Sequence, residues 1–162
     1  MRFFLVFKVA LFSVLVPGAV TLYFPYNILS RAGGGLQPAD PALAVPAGAC
    51  ILVGAAIYLW CARDFAVQGL GTPAPLDPPK NLVVGGLYRR TRNPMYQGVL
   101  LILLAECLLF ADPALAAYAA AVALVLHCLV VFYEEPLLGL RFGDAYRAYC
   151  RTVPRWGFAL SP

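Results

Sequence analysis

Charged residues are scarce in this sequence of 162 amino acids, since Asp, Glu, Lys and Arg together make up only 12% of it. An ordinary soluble domain has about 25% charged and about 45–50% apolar residues, whereas 62% of this chain is hydrophobic. That composition excludes both a typical soluble globular protein and a disordered chain. The net charge of +4 is too small to indicate nucleic-acid binding. We therefore expect a small integral membrane protein that forms a single domain over residues 1–162.

Patterns for a disulfide framework, a metal site or a dinucleotide fold are also lacking. The five cysteines are an odd number, and no two of them form a Cys-x-x-Cys pair. The Gly69-x-Gly71 pair does not extend to the GxGxxG fingerprint of a Rossmann site. We interpret the cysteines as small apolar residues and expect no bound metal.

Long apolar runs are abundant, and they predict an all-α, polytopic bundle of about four transmembrane helices. Each run approaches the length of one bilayer crossing, which takes about 20 residues in a helix. Between the last two runs, Asp112 and Pro113 supply an N-cap and a first helical residue, which predicts an antiparallel hairpin. The predicted spans are residues 3–24, with a kink at Pro17-Gly18, and residues 42–61, 95–110 and 114–133.

The basic residues are distributed unevenly between the segments that join these runs. Eleven of the twelve lie in the N-terminus, in loop 62–94 or in tail 134–162, and the twelfth is Arg31. Because Lys and Arg accumulate in cytoplasmic loops, we expect both termini and loop 62–94 to be cytoplasmic. A site built from loop 62–94 and tail 134–162 would then lie at the cytoplasmic edge of the membrane.

Loop 62–94 and tail 134–162 contain the residues from which such a site could be built. In the loop, a proline-rich stretch precedes a short, strand-like apolar run at residues 81–84, which could present backbone donors and acceptors to a ligand. The fourth run ends in Glu134-Glu135, where the helix dipole disfavours carboxylates. This unfavourable placement indicates cation binding; the alternative is an exposed acidic pair at the interface. Alternating apolar and basic residues further along predict a C-terminal amphipathic interfacial helix.

Two ionisable residues, Glu106 and His127, lie inside apolar runs. A titratable group at membrane depth is a functional candidate, and we assign both as candidate catalytic residues. The alternative is a hydrogen bond within the bundle that orients the hairpin. His127 precedes Glu134 by seven residues, so the two are expected on one helix face, about 10 Å apart along the axis.

Four motifs occur in a fixed order over residues 69–156. They are Arg-Asn-Pro-Met-Tyr-x-Gly at 92–98, the hairpin, Glu134-Glu135, and Phe-Gly-x-x-Tyr-x-x-Tyr at 142–149 followed by Val-Pro-Arg at 153–155. Together they resemble the superfamily of isoprenylcysteine carboxyl methyltransferases and phospholipid methyltransferases. The resemblance implies an integral membrane enzyme that transfers a methyl group from S-adenosylmethionine (SAM) to a membrane-borne lipid acceptor.

The resemblance also implies which residues bind the cofactor. In this superfamily the pocket is formed by the loop before the hairpin and the segment after it. Carried over by position, the SAM-binding residues are Asn81, Leu82, Val83, Val84, Tyr88, Asn93, Pro94, Met95, Tyr96, Glu134 and Glu135. Carboxylates at this edge suit the sulfonium and ammonium charges of SAM.

Two departures from the carboxyl methyltransferase pattern favour a lipid amine as the acceptor. Asn93 stands in place of the motif histidine, and Val130 in place of a substrate-contacting arginine. An amine acceptor needs a group that takes up a proton, which His127 can provide. The alternatives are an isoprenylcysteine-type carboxyl methyltransferase, a sterol-reductase-like enzyme that binds NADPH through Arg89, Arg90 and Arg92, and a non-catalytic lipid-binding protein. The sequence leaves the oligomeric state open.

Overall fold

A computed structural model describes residues 15–31, 36–65, 67 and 81–159, and within these ranges the chain is helical without a β-strand. Five α-helices are present in them: α1 (Phe24–Arg31), α2 (Ala44–Asp64), α3 (Pro94–Phe110), α4 (Pro113–Leu129) and α5 (Glu135–Thr152). Two π-helical turns extend these helices: Ala19–Tyr23 leads into α1, and Val130–Glu134 joins α4 to α5. Short 3₁₀ turns at Pro41–Leu43 and Gly86–Arg89 precede α2 and α3.

Two helical stretches are long and apolar enough to cross a membrane: Pro41–Asp64 and Pro113–Thr152. Helix α3 is apolar but has 17 residues, which is slightly short of the usual 20 or so. Residues 3–14 of the predicted first span lie outside the described residues. The described remainder stays helical to Arg31, past the predicted end at Phe24. The described structure thus accounts for two of the four predicted spans.

The reversal between α3 and α4 has the predicted capping. The Asp112 carboxylate accepts a hydrogen bond from the Leu115 N–H at 2.9 Å, and Pro113 is the first residue of α4. Helix α3 ends at Phe110, and the capping residue Ala111 adopts the left-handed conformation (φ 50°) and donates its N–H to the Cys107 carbonyl. Both helix ends at this turn therefore have partners for otherwise orphaned backbone groups.

Helices α2 and α3 pack closely at Gly54 and Gly98. A Cβ added to Gly54 would lie 2.6 Å from the Gly98 carbonyl oxygen, and one added to Gly98 would lie 2.7 Å from the Gly54 carbonyl oxygen. Small residues allow such backbone approach between membrane helices. The core cluster on this helix pair also includes Val83 and Tyr88, so it fixes the end of the loop that precedes α3.

Replacing Gly54 by alanine is expected to destabilise the protein by about 1–3 kcal/mol, because the added methyl group overpacks the α2–α3 contact. Gly48→Ala is the matched control, since Gly48 lies in the same helix with nothing within 4 Å of its virtual Cβ. That variant is expected to be neutral or slightly stabilising, because alanine favours helix over glycine. Thermal unfolding of the detergent-purified proteins measures both, and equal shifts would contradict the close packing.

The π-helical turn Val130–Glu134 changes the helix faces predicted at the end of the fourth run. In an uninterrupted α-helix, residues 127 and 134 lie on one face. A π-turn takes up one extra residue, which offsets the two positions by about 100°. The expectation that His127 and Glu134 share a face is therefore wrong. Within this stretch, His127 is exposed and Val130 is buried.

The segments on either side of the hairpin differ in regularity. Residues 81–84, expected to be strand-like, form neither a strand nor a helix, because their described neighbours are helices and offer no strand edge for pairing. The predicted C-terminal helix forms as α5, with a break at Gly143, whose φ of 53° suits glycine. In α5, Tyr146 is buried while Leu140 and Arg147 are both exposed, so the exposed surface of this helix carries apolar as well as basic residues.

Candidate functional site

The turn before α3, the first turn of α3 and the segment after the hairpin meet at one end of the bundle. The Arg92 backbone N–H donates to the Pro154 carbonyl at 2.9 Å. The Tyr149 hydroxyl donates to the Tyr88 carbonyl at 2.6 Å. The two segments predicted to form one site are therefore held together by hydrogen bonds, although they are far apart in the sequence.

Glu134 lies where the two ends of the hairpin meet. Tyr96, in the first turn of α3, donates a hydrogen bond from its hydroxyl to Glu134 Oε1. None of the ion pairs formed among residues 15–31, 36–65, 67 and 81–159 involves Glu134. The carboxylate is half-buried, so its charge is partly withdrawn from water without a described cation beside it. A cationic ligand would complete this arrangement.

The adjacent carboxylate, Glu135, has the opposite surroundings. Its Oε1 lies 3.0 Å from Arg92 Nη1 and accepts a hydrogen bond from Arg155 Nε at 2.7 Å, and its Oε2 accepts one from Arg155 Nη2 at 2.9 Å. Such two-pronged guanidinium–carboxylate contacts are among the stronger ones in proteins. The hydrogen bond to Glu135 also raises the pKa of Arg155. The charge of Glu135 is therefore neutralised within the chain.

Asn93 and its neighbours use their polar groups to fix the turn before α3. The Asn93 amide donates to the Arg155 carbonyl at 3.0 Å, and the Gln97 amide donates to Thr91 Oγ1 at 2.6 Å. Thr91 is fully buried, and Asn93 is 9% exposed. Because the Asn93 amide is bonded to the C-terminal segment, its described role is to hold that segment against the start of α3.

The remaining predicted cofactor residues differ in exposure. Four are buried in or beside the core: Val83, Tyr88, Pro94 and Met95. Burial raises the pKa of Tyr88 well above its usual value, so this phenol stays neutral. Leu82 is half-buried, whereas Asn81 and Val84 lie at the surface. The buried members can contribute to a ligand site mainly through their backbone groups.

A third acid, Asp64, ends α2 beside the turn before α3. It is 3% exposed, and its Oδ2 atom has no hydrogen-bond partner among the residues that the structure describes. Gly86 adopts a positive φ of 59°, and a Cβ there would lie only 2.4 Å from that oxygen. The glycine therefore makes room for the carboxylate, and a buried acceptor at this end of α2 lacks a donor.

Neither candidate catalytic residue has a described hydrogen bond or ion pair with Glu134. His127 Nδ1 accepts a hydrogen bond from Trp156 Nε1 at 3.0 Å, and the two rings stack with centroids 6.1 Å apart. Glu106 follows Tyr96 on α3 by ten residues, which is about 15 Å along the axis. The structure thus brings Tyr96 and Glu134 together but leaves Glu106 near the other end of α3.

Sequence reasoning did not identify the partners of Glu135 or the buried acceptor of Asp64. Arg92 and Arg155 each belong to one of the four motifs, but the sequence assigns Arg92 only to the NADPH-binding alternative and gives Arg155 no role. The usable signal was that each arginine stands near residues that are buried, such as Asn93 and Val153, because a partly buried arginine needs a nearby acid. Asp64 gave no comparable signal, since its burial depends on Gly86.

The comparison with protein families identifies what this arrangement is related to. A family model described as phospholipid methyltransferase matches residues 43–145. The matched region includes helices α2, α3 and α4, the contact of Tyr96 with Glu134, and Glu135. Neither curated proteins nor solved structures give a significant match. Because the matched region makes up most of the sequence, the chain belongs to the phospholipid methyltransferase family.

Proposed function

We propose that this protein transfers a methyl group from SAM to a membrane lipid, with a lipid amine as the favoured acceptor. Membership of the phospholipid methyltransferase family supports methyl transfer to a lipid. The observation that carries the cofactor assignment is Glu134, a half-buried carboxylate that pairs with Tyr96 and with no described cation. When bound, SAM supplies a methyl group that its sulfonium makes electrophilic.

The residues at this end of the bundle fit a cationic, hydrogen-bonding cofactor. Glu134 offers a negative charge, and the unpartnered Oδ2 of Asp64 offers a buried acceptor. A buried polar atom without a partner is costly, and a ligand donor would relieve that cost. We therefore propose Glu134 and Asp64 as polar contacts of SAM, alongside Tyr96 and the backbone of residues 81–84 and 93–95.

The remaining contacts act by holding these groups in place. The Tyr96 hydroxyl orients Glu134, and the pairing of Glu135 with Arg92 and Arg155 fixes the C-terminal segment against the turn before α3. Alignment of reactants in a displacement can supply about 7–11 kcal/mol of the barrier. We propose that Glu135 serves this positioning role rather than binding the cofactor directly.

His127 is the proposed proton acceptor for a lipid amine. Its Nδ1 lone pair is occupied by the Trp156 N–H, so uptake of a proton at this nitrogen requires Trp156 to move away. Glu106 is left out of the proposed reaction because of its distance from Tyr96 along α3. The expected roles of both residues in catalysis stay predictions.

Two of the alternatives need cations for their substrate or cofactor. A site for the 2′-phosphate of NADPH would draw on Arg89, Arg90 and Arg92, but Arg92 pairs with Glu135 and Arg90 donates to the Ala159 carbonyl, which leaves Arg89 as an exposed candidate. A prenylcysteine carboxylate would need a cation near position 130, where Val130 is 1% exposed. These contacts favour a methyltransferase with an amine acceptor.

The acceptor is tested by incubating the purified protein with methyl-labelled SAM and two lipids. We expect label in an ethanolamine phospholipid and none in a farnesylated cysteine analogue, because position 130 holds a buried valine where a cation would be needed for the carboxylate. SAM-dependent labelling should also be unaffected by NADPH. Transfer to the farnesylcysteine alone would overturn the amine assignment, and the absence of SAM binding would overturn the proposed activity.

We further propose a four-span topology with both termini and the Glu134 site in the cytoplasm, which accessibility labelling tests. In a background whose native cysteines are replaced by alanine, Arg89→Cys should resist a membrane-impermeant thiol reagent applied to intact cells. Arg31→Cys is the matched control and should react, because the two exposed arginines lie on opposite sides in this topology. Reaction at position 89 but not at position 31 would reverse the orientation.

A further inference from the structure

A groove lies at the end of the bundle opposite Glu134, where it takes no part in the proposed reaction. Its volume is about 660 Å³, which is within the range of about 300–1,000 Å³ common for small-molecule sites. One wall is a face of the first helical segment, and the other is the end of α3. The residues that matter most here are Ala19, Leu22, Tyr26, Glu106 and Phe110.

Among the described residues that line this groove, Glu106 is the only carboxyl, and none is basic. Glu106 is only 8% exposed, and its buried Oε2 has no hydrogen-bond partner within the described part of the chain. A buried carboxyl in apolar surroundings is unfavourable unless a hydrogen-bond donor or a cation pairs with it. The Glu106 carboxyl therefore needs such a partner within an otherwise apolar groove.

The irregular backbone next to the groove does not supply the missing partner. The π-helical turn Ala19–Tyr23 forms part of the wall, and its Val20 carbonyl accepts a hydrogen bond from the Tyr118 hydroxyl at 2.9 Å. The Thr21 hydroxyl donates to the Pro17 carbonyl at 2.8 Å. Backbone groups of this irregular segment are thus bonded, while Glu106 Oε2 is not. Single π-turns are frequent at functional sites.

We propose that this groove is a second lipid-binding site, separate from the methyl-transfer site, that takes an amphiphile with a protonated amine. The amine pairs with Glu106, and the alkyl chain lies along Leu22 and Phe110. The lone acid selects a cationic head group over a neutral or anionic one, and the apolar walls select a long chain over a soluble amine. The inference does not depend on the proposed methyl transfer.

The test uses a photoreactive long-chain alkylamine with the purified full-length protein in nanodiscs and without SAM. We expect crosslinks in residues 15–29 and at Phe110, mapped by mass spectrometry. Dodecylamine should compete at about a tenfold lower concentration than dodecanol, since only the amine gains the ionic hydrogen bond. Glu106→Gln should weaken labelling about tenfold and abolish this preference.

Asp144→Asn is the matched acid-to-amide control, because Asp144 is exposed on α5 and lies outside the groove; it should label like the wild type. Equal competition by dodecanol and dodecylamine in the wild-type protein would overturn the proposal, even if Glu106→Gln failed to fold. Unchanged labelling of a folded Glu106→Gln protein would overturn it as well. Because no methyl donor is present, these outcomes are independent of the transferase activity.

Discussion

Replacing Glu134 by glutamine is expected to weaken SAM binding by about 1–3 kcal/mol, or about 5- to 150-fold in Kd. Glutamine keeps the size of the side chain and can still accept from the Tyr96 hydroxyl. It removes the negative charge, which is the property that a sulfonium and an ammonium require. The loss of SAM affinity should therefore come from the missing attraction to the cationic groups of SAM, and the fold should stay intact.

Isothermal titration of the detergent-purified proteins with SAM measures this effect. Asp144→Asn provides the control, since it removes one negative charge from an exposed position whose side chain is 96% accessible. Its affinity for SAM should match that of the wild type. If Glu134→Gln binds SAM as tightly as the control does, Glu134 is not the cofactor's carboxylate.

Replacing Glu135 by glutamine is expected to act on stability, lowering the free energy of unfolding by about 2–4 kcal/mol. Removal of one partner from a buried ion pair costs about 3–5 kcal/mol, and the figure is reduced here because Arg155 is 35% exposed. The variant leaves Arg92, whose side chain is only 12% exposed, without its carboxylate. The C-terminal segment should therefore detach more easily from the turn before α3.

Denaturation curves of the purified proteins, recorded by circular dichroism, distinguish the loss of this ion pair from a general effect of removing a negative charge. Asp144→Asn breaks the exposed Asp144–Arg147 pair and should cause no measurable change. Arg155→Gln should cost less than Glu135→Gln, since Glu135 would keep its contact with Arg92. Equal stability of the Glu135→Gln protein and the Asp144→Asn protein would show that the arginines do not hold the segment.

The helices could be predicted because their signals are local. Apolar runs of sufficient length indicated α2, α3 and α4, and the Asp112-Pro113 pair located the reversal to the residue. Capping and propensity depend on neighbours within one turn, so a single sequence contains the necessary information. The family motifs similarly identified the two segments that meet at Glu134.

The different surroundings of Glu134 and Glu135 could not be predicted in the same way. The resemblance to the methyltransferase superfamily implies that both bind the cofactor. Adjacent residues on a helix point about 100° apart, so one carboxylate meets Tyr96 while the next meets two arginines. Which acid meets which partner depends on how the distant segments dock, and no local pattern records that.

Because of the π-helical turn Val130–Glu134, the geometry of the site depends on the number of residues in this turn more than on their identity. Exchanging one exposed side chain for another there, for example at Phe132, leaves the direction of every later residue unchanged. Deleting one residue would restore a regular helix and rotate all of α5 by about 100°. Glu135 and Tyr149 would then turn away together from Arg92 and Tyr88. The number of residues in the π-helical turn therefore sets the direction in which the side chains of α5 point.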